Sequence, residues 1–315
     1  MTLGTQAAAV GAPPKGPFVP EPSLIRIRDL IYQVCGIFHP DNKLVFLHDR
    51  CFRRVRTLGL DGLRCYLEAL TSRLTRDEEM RLLLNEITVG ETCFFRSPPQ
   101  IAALRKILLP RIAASSPART GRKIRIWSAG CSTGEEPYTL AMVALEEAGG
   151  LYRNLSWEII ATDLNDRSIA HAQRGLYDAY ALRNTEPYFV QKCFSREGDI
   201  FRLSPQVRSV VSFSRFNLLD ETKPLFMKGL DLVFCANVLI YFDAVSKRRV
   251  VESFYNSLVP GGHLFLSSTE SLFAINSQFR LVHFPGATGY LRPPNAAESA
   301  AAPSFSFEAK SESRR

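Results

Sequence analysis

The sequence predicts an α/β protein whose mostly parallel sheet follows a small all-α domain. Three observations predict it. Short apolar runs at 124–129, 157–162, 231–235 and 263–267 each end in a turn or small-residue loop, and most are followed by a helical pattern. Strands alternating with helices imply a parallel sheet. Residues 279–284 and 289–292, with a turn between them, read as a closing hairpin, so the last strand should be antiparallel. Before all of this, residues 23–86 keep a helical period with no strand-like run.

The ends come first. Residues 1–20 and 293–315 are biased in composition and weakly hydrophobic, and are expected to be disordered tails. The helical domain should span 21–90. Leu44, Leu47, Cys51, Val55 and Leu58 recur at three- and four-residue steps and form one apolar stripe. Lys43, Arg50, Arg53, Arg54 and Arg56 are read as lying off that stripe, with only Asp49 among them to oppose their charge. A solvated basic face is the bland explanation, and a docking face for an acidic partner is the sharper one. Gly59 and Asp61–Gly62 break the pattern. Tyr66, Leu67, Leu70 and Leu74 open another helix, and Met80, Leu83 and Leu84 a third. Residues 91–122 then read as a linker that contributes to the site, with a helix around Ile101–Ile112.

The chain is organised around Ile124-Arg-Ile-Trp-Ser-Ala-Gly-Cys-Ser-Thr-Gly-Glu-Glu-Pro-Tyr138. A buried strand passes through Gly130, Ser132 and Gly134 into a helix opened by Glu135, Glu136 and Pro137. Pro137 suits the first helical turn, and the two acids suit the positive end of the helix dipole. A small-residue turn between strand and helix lets a ligand lie against the backbone. This turn carries two carboxylates and no Lys, so it repels phosphate and welcomes a cationic amino-acid group. The chemistry points to S-adenosylmethionine, which joins an ammonium to a sulfonium. A tight structural turn is the competing explanation, and the residues downstream weigh against it.

The second strand, Trp157–Thr162, ends at Asp163, where a carboxylate is placed to hold a ribose diol. Capping of the next helix would serve equally well as a role for that residue. Residues 176–216 interrupt the rhythm. Tyr188–Phe189, Asp199–Leu203 and Val207–Phe213 read as short strands of a small β insertion. Later come a strand ending at Phe216 before Asn217-Leu-Leu-Asp220, a buried strand 231–235 before Ala236-Asn-Val-Leu-Ile-Tyr-Phe-Asp243, and a helix at about 245–258. Pro260-Gly-Gly262 is expected to turn into the strand His263–Ser267.

Composition limits what the protein can be. With 315 residues, 46% of them hydrophobic, there is enough chain for a main domain and a smaller companion. A net charge of +8 suggests an acidic partner or nucleic acid without choosing between them. The seven cysteines are scattered without a C-x-x-C pair, which suggests reduced cytoplasmic thiols with no disulfide frame and no metal site. No run is long enough to insert in a membrane, and no signal peptide is recognisable.

Taken together, Thr88–Arg96, Trp127–Tyr138, Ala161-Thr-Asp163, Phe216–Leu219 and Cys235–Asp243 resemble the chemotaxis receptor methyltransferase family, CheR, over about residues 21–292. The resemblance implies a Rossmann-like SAM-dependent methyltransferase sheet (123–292) with a small inserted β-subdomain, preceded by the small all-α N-terminal domain. It implies methylation of glutamate side chains on chemoreceptor cytoplasmic helices, with S-adenosylhomocysteine as product. On the same basis Glu136, with Glu135 beside it, would take the ammonium and Asp163 the ribose. Asn217 and Leu218 would frame the adenine, Ala236 and Asn237 would line the methionine side, and Gly130 would bind the cofactor as part of the turn. Thr92 and Arg96 would close the site from the linker, and Gly90 is a further cofactor-binding position. The enterobacterial pattern has Asn where this chain has Gly90 and Arg where it has Ala236, so only backbone contacts are expected at those two positions.

A glutamate substrate, with a reference pKa of about 4.3, is already ionised near neutrality and needs no general base. Catalysis then reduces to alignment, which can supply about 7–11 kcal/mol. Arg96 and the Tyr241 hydroxyl are the candidates for orienting the substrate carboxylate, because a guanidinium fork matches a carboxylate. There are two rivals. An amino methyltransferase acting on nucleic acid would carry Asn/Asp-Pro-Pro-aromatic where this chain has Asn237-Val-Leu-Ile-Tyr241, and no aromatic-lined basic groove is apparent. A SAM-binding scaffold with weak or no catalysis is the other.

Overall fold

A computed structural model describes residues 18–114, 123–149, 155–220 and 227–294, and the chain divides into two units between Ile87 and Thr88. Most of the two expected tails, and the end of the linker at 115–122, lie outside the described residues.

The first unit is helical. α1 (Pro22–Cys35) starts with Pro22 in its first turn and ends at left-handed Gly36. α2 (Leu44–Leu58), α3 (Leu63–Thr71) and α4 (Arg76–Ile87) follow. Leu44, Leu47, Cys51 and Val55 are buried as the period requires. Leu58 is not: it occupies the last turn of α2, next to left-handed Gly59, and is 42% exposed. Leu74 lies in the turn before α4, outside any helix, and is almost fully exposed.

Arg54 corrects the reading of the basic face. It follows Leu47 by seven residues and so points into the core, where its guanidinium grips Glu79 on α4 through two bonds of 2.8 and 2.9 Å. The Tyr66 hydroxyl on α3 donates to the same carboxylate at 2.8 Å. A buried Arg is tolerated here because its fork is matched and the acid's lone pairs are taken. Lys43, Arg53 and Arg56 are exposed, Arg50 is half-buried with its guanidinium over the Phe46 ring, and Arg53 lies 3.8 Å from Glu86.

The second unit holds a seven-stranded sheet in the order β6-β2-β1-β7-β8-β10-β9. Its strands are β1 (Ile124–Ala129), β2 (Trp157–Asp163), β6 (Val211–Arg215), β7 (Leu230–Cys235), β8 (Leu258–Leu266), β9 (Arg280–Phe284) and β10 (Ala287–Leu291). The first five of these pair in parallel, and β10 and β9 complete the sheet as an antiparallel hairpin. β1 and β7 are buried almost throughout, as strands with both faces covered must be. Trp127 is fully buried, donates to Thr162 at 2.9 Å and meets Phe254 edge-on.

The helices of this unit begin with α5 (Pro98–Ala103), a π turn at Leu104–Leu108 and α6 (Leu109–Ala114). They continue with α7 (Glu135–Gly149), α8 (Asp166–Arg174), α9 (Pro187–Cys193), α10 (Pro205–Arg208) and α11 (Ala244–Ser257). The insertion is built differently from expectation. Its three-stranded sheet joins β3 (Leu176–Tyr177), β4 (Phe194–Glu197) and β5 (Ile200–Leu203). Tyr188–Phe189 belong to α9, where Pro187 opens the helix and Phe189 is buried. Val207–Phe213 splits: α10 ends at Arg208, and β6 joins the edge of the main sheet. β8 also starts earlier than expected, running through Pro260–Gly262 with a pairing irregularity between Leu230 and Leu232.

Candidate active site

Every loop leaving the C-terminal ends of β1, β2, β6, β7 and β8 reaches the same rim of the sheet, where ligands of such folds gather. The turn after β1 holds its shape by necessity. Gly130 has φ +80°, and a Cβ there would lie 2.4 Å from a Val238 methyl. Gly134 has φ +99°, and its Cβ would meet Ala172 at 2.7 Å. Neither position can carry a side chain without moving a neighbouring loop or helix. The amides of Gly130 and Cys131 both donate to the Thr162 carbonyl, which ties this turn to β2.

The acids sit at the mouth of that turn. Glu135 is buried, accepts from Thr133 Oγ1 at 2.7 Å, and is raised above the usual carboxylate range by desolvation. Glu136 accepts from the fully buried Ser128 hydroxyl at 2.7 Å. Desolvation pushes its carboxyl up to about 7, against the opposing pull of that hydrogen bond and of the Arg96 charge. Asp163 accepts from the Ser132 amide with one oxygen and from the Asn165 amide with the other, both at 2.8 Å. It too is raised by burial. The cap of α8 is Asn165, whose side chain accepts from Arg167 and Ser168, so capping does not account for Asp163. Among the described residues no Lys or Arg forms an ion pair with any of these three carboxylates.

The irregular linker segment of residues 88–96 lies over this turn. Thr88 accepts from Asn165 at 2.7 Å, and the Gly90 carbonyl accepts from Ser132 Oγ at 3.2 Å. A Cβ at Gly90 would lie 2.9 Å from that hydroxyl, so the absence of a side chain there is what lets the segment sit so close. Arg183 donates to Glu91 and to the Thr92 carbonyl. Phe95 is left-handed at φ +53°, and its amide donates to Thr139 Oγ1, which in turn donates to the Glu135 carbonyl. This pins the exposed Arg96 beside the acids: its guanidinium donates to the Glu91 carbonyl at 2.7 Å, and its charge is felt at both Glu136 and Tyr241.

The remaining predicted residues come from β6 and β7. Asn217 turns its loop by accepting from the Leu219 amide, with Leu218 half-buried beside it. Ala236 and Asn237 leave β7, with Asn237 left-handed at φ +61°. Tyr241 ends a short 3-10 turn, half-buried, its hydroxyl held above the ordinary range by burial. Phe95, Ser132 and Asn237 thus all carry positive φ at one rim, each at a cost of about 1–3 kcal/mol, a concentration of strain typical of functional sites.

One participant escaped the sequence reading. Glu270, in the loop after β8, accepts from the amides of Asn237, Ser267 and Ile240. No spacing rule marks it, because two of its partners lie about thirty residues upstream.

The residues present fit a cationic nucleoside ligand. Desolvated carboxylates without a partner cation call for one, and a turn closed to any Cβ offers bare backbone. A parallel sheet with such an acid-lined turn is the layout of S-adenosylmethionine-dependent methyltransferases. The chain belongs to the CheR methyltransferase family: residues 90–287 match its SAM binding domain, and residues 22–88 its all-alpha domain. Chemotaxis protein methyltransferase 2 of Vibrio cholerae is 36% identical over 269 residues, covering 85% of this chain and 92% of that protein. The Escherichia coli chemotaxis protein methyltransferase is 33% identical, covering 81% of this chain and 86% of its own. Chemotaxis protein methyltransferase 1 of Pseudomonas aeruginosa is 33% identical, covering 81% of this chain and 92% of its own. The cofactor is therefore S-adenosylmethionine. No helix among the described residues is long and apolar enough to cross a membrane.

Proposed function

We propose that this protein methylates glutamate side chains on the cytoplasmic helices of chemoreceptors, giving glutamyl methyl esters. The observation that carries the reading is the pairing of opposite demands at one rim: desolvated Glu136 calls for a cation, and Arg96, within electrostatic reach of it, offers itself to an anion. The relatives' names supply the chemotaxis setting.

When bound, S-adenosylmethionine supplies a methyl group on a cationic sulfur that leaves as a neutral thioether. Glu136, assisted by Glu135, holds the ammonium, and Asp163 holds the ribose with the lone pairs left over from its two backbone bonds. Asn217 and Leu218 frame the adenine. Gly130, Ala236 and Asn237 line the methionine side by backbone. Gly90 and Thr92 form the linker wall, which limits the entry of water. Arg96 and the Tyr241 hydroxyl orient the incoming carboxylate, and each must leave one lone pair free to attack. A tyrosine hydroxyl is protonated near neutrality, and burial raises that of Tyr241 further, so it acts as a donor. Lys43, Arg50, Arg53 and Arg56 form a basic face suited to acidic receptor helices, and the receptor's cytoplasmic domain sets the compartment.

Labelled methyl transfer from S-adenosylmethionine to a receptor cytoplasmic fragment tests this. Label released by mild base is expected. Base-stable label on nucleic acid would favour an amino methyltransferase, and cofactor binding without turnover would favour a scaffold.

A further inference from the structure

The segment between β7 and α11 has a structural problem that its own residues do not solve. β7 ends at Cys235 and α11 begins at Ala244; the 3-10 turn between them, Leu239–Tyr241, takes the amides of Tyr241 and Phe242, whereas those of Asn237 and Ile240 are taken by another loop. Asn237 is half-buried and Ile240 exposed, and main-chain donors not paired within their own segment take a side chain or water. Both find their acceptor in a single side chain from that loop. Glu270 Oε2 accepts from Asn237 at 2.8 Å and from Ser267 at 3.0 Å, while Oε1 accepts from Ile240 at 3.2 Å.

Glu270 is itself fixed. Its amide donates to the Ser267 carbonyl. Two residues on, the amide of buried Leu272 donates to the Tyr290 hydroxyl on β10, which ties the loop to the sheet. The carboxylate is therefore a rigid bracket between the sheet and the β7 loop. One arm holds Asn237 in its left-handed conformation, and the other holds the residue just before Tyr241.

We propose that Glu270 is a positioning residue for methyl transfer: by bracketing the Asn237 and Ile240 amides it orients the loop that presents Tyr241. Its charge works in the same direction. The Tyr241 hydroxyl is held above its ordinary range first by burial; Arg96 pulls it down and Glu270 pushes it back up. The kinetic consequence rests on the proposed methyl transfer, whereas the conformational one stands without it.

Glu270→Gln is the informative variant. An amide offers one acceptor oxygen, and its NH2 would face a main-chain N–H, so one arm of the bracket must fail. The first readout is hydrogen exchange in the ligand-free full chain. Amides of residues 236–241 are expected to exchange about tenfold faster or more, the size of one lost bond to a charged acceptor. Amides of β1 and β7 are expected to match the parent. Unchanged exchange at 236–241, or acceleration spread evenly over the sheet, would overturn the proposal. The second readout is the split between turnover and binding. Here kcat is expected to drop about tenfold or more, with a smaller rise in the Kd for S-adenosylhomocysteine, because the Asn237 arm also borders the cofactor. A parent-like kcat, or an affinity loss as large as the loss in kcat, would overturn it. If the parent itself transfers no methyl, the proposed function fails, and the exchange result alone decides the role of Glu270.

Discussion

Glu136 makes the acid-lined turn testable by proton linkage. Its carboxyl is moved from 4.5 to about 7 because desolvation outweighs the Ser128 hydrogen bond and the more distant Arg96 charge. That shift corresponds to about 3 kcal/mol opposing the charged form in the empty site. An incoming ammonium needs the charged form, so binding and proton release are coupled. Below about pH 7 each unit should weaken S-adenosylhomocysteine binding by up to about tenfold. Glu135 and Asp163, raised by burial as well, act in the same direction. Glu136→Gln should lose about 2–5 kcal/mol of binding and most of the pH slope. The effect on folding has the opposite sign. A raised carboxyl binds its proton more tightly in the folded state, so its contribution to stability falls as pH rises from 4.5 through about 7. Ligand-free Glu136→Gln should therefore be more stable than the parent at about pH 8, by up to about 3 kcal/mol. Calorimetric titration at a series of pH values and thermal melts of both proteins measure this. A flat affinity between about pH 5.5 and 7 in the parent, together with a variant that is less stable at about pH 8, would refute the reasoning.

The same geometry sets four further expectations. Arg96→Ala should abolish methyl transfer while lowering S-adenosylhomocysteine affinity far less, read by turnover and calorimetry on the same preparation. Gly130→Ala should eliminate cofactor binding, because its Cβ would drive the Val238 loop out of place; a titration as tight as the parent's would show that the turn can adjust. Glu79→Ala leaves the Arg54 guanidinium and the Tyr66 hydroxyl without their acceptor and should cost the helical unit about 3–5 kcal/mol, measured by denaturant unfolding. Replacing Arg53 and Arg56 by Glu should raise the KM for a receptor fragment without changing cofactor affinity, and added salt should mimic it on the parent.

The sheet and the glycine turn were legible because they rest on local rules. Apolar runs, a strand-to-helix turn and an acid pair at a helix start are all contiguous in sequence. The positions of Asp163 and Asn237 were legible for the same reason, each standing at or just after the end of a strand. What could not be read depended on contacts across the fold. Arg54 looks like one more surface cation until Glu79, 25 residues away, turns out to face it. Glu270 looks like an ordinary loop acid until the β7 loop is seen to lack acceptors. The insertion misled because its apolar runs are short. Tyr188–Phe189 follow Pro187, which can open a helix as readily as it interrupts a strand. Val207–Phe213 straddles a helical turn and a strand, and periodicity over so short a stretch does not separate the two. The left-handed backbone at Phe95 and Ser132 has no signature in residue type at all.

The most direct measurement is a crystal structure with S-adenosylhomocysteine bound. The ligand's ammonium is expected against the Glu136 carboxylate, its ribose hydroxyls on Asp163, and its sulfur facing the space between Arg96 and Tyr241. A ligand whose amino end lies away from both Glu135 and Glu136 would contradict the role given to the acid-lined turn.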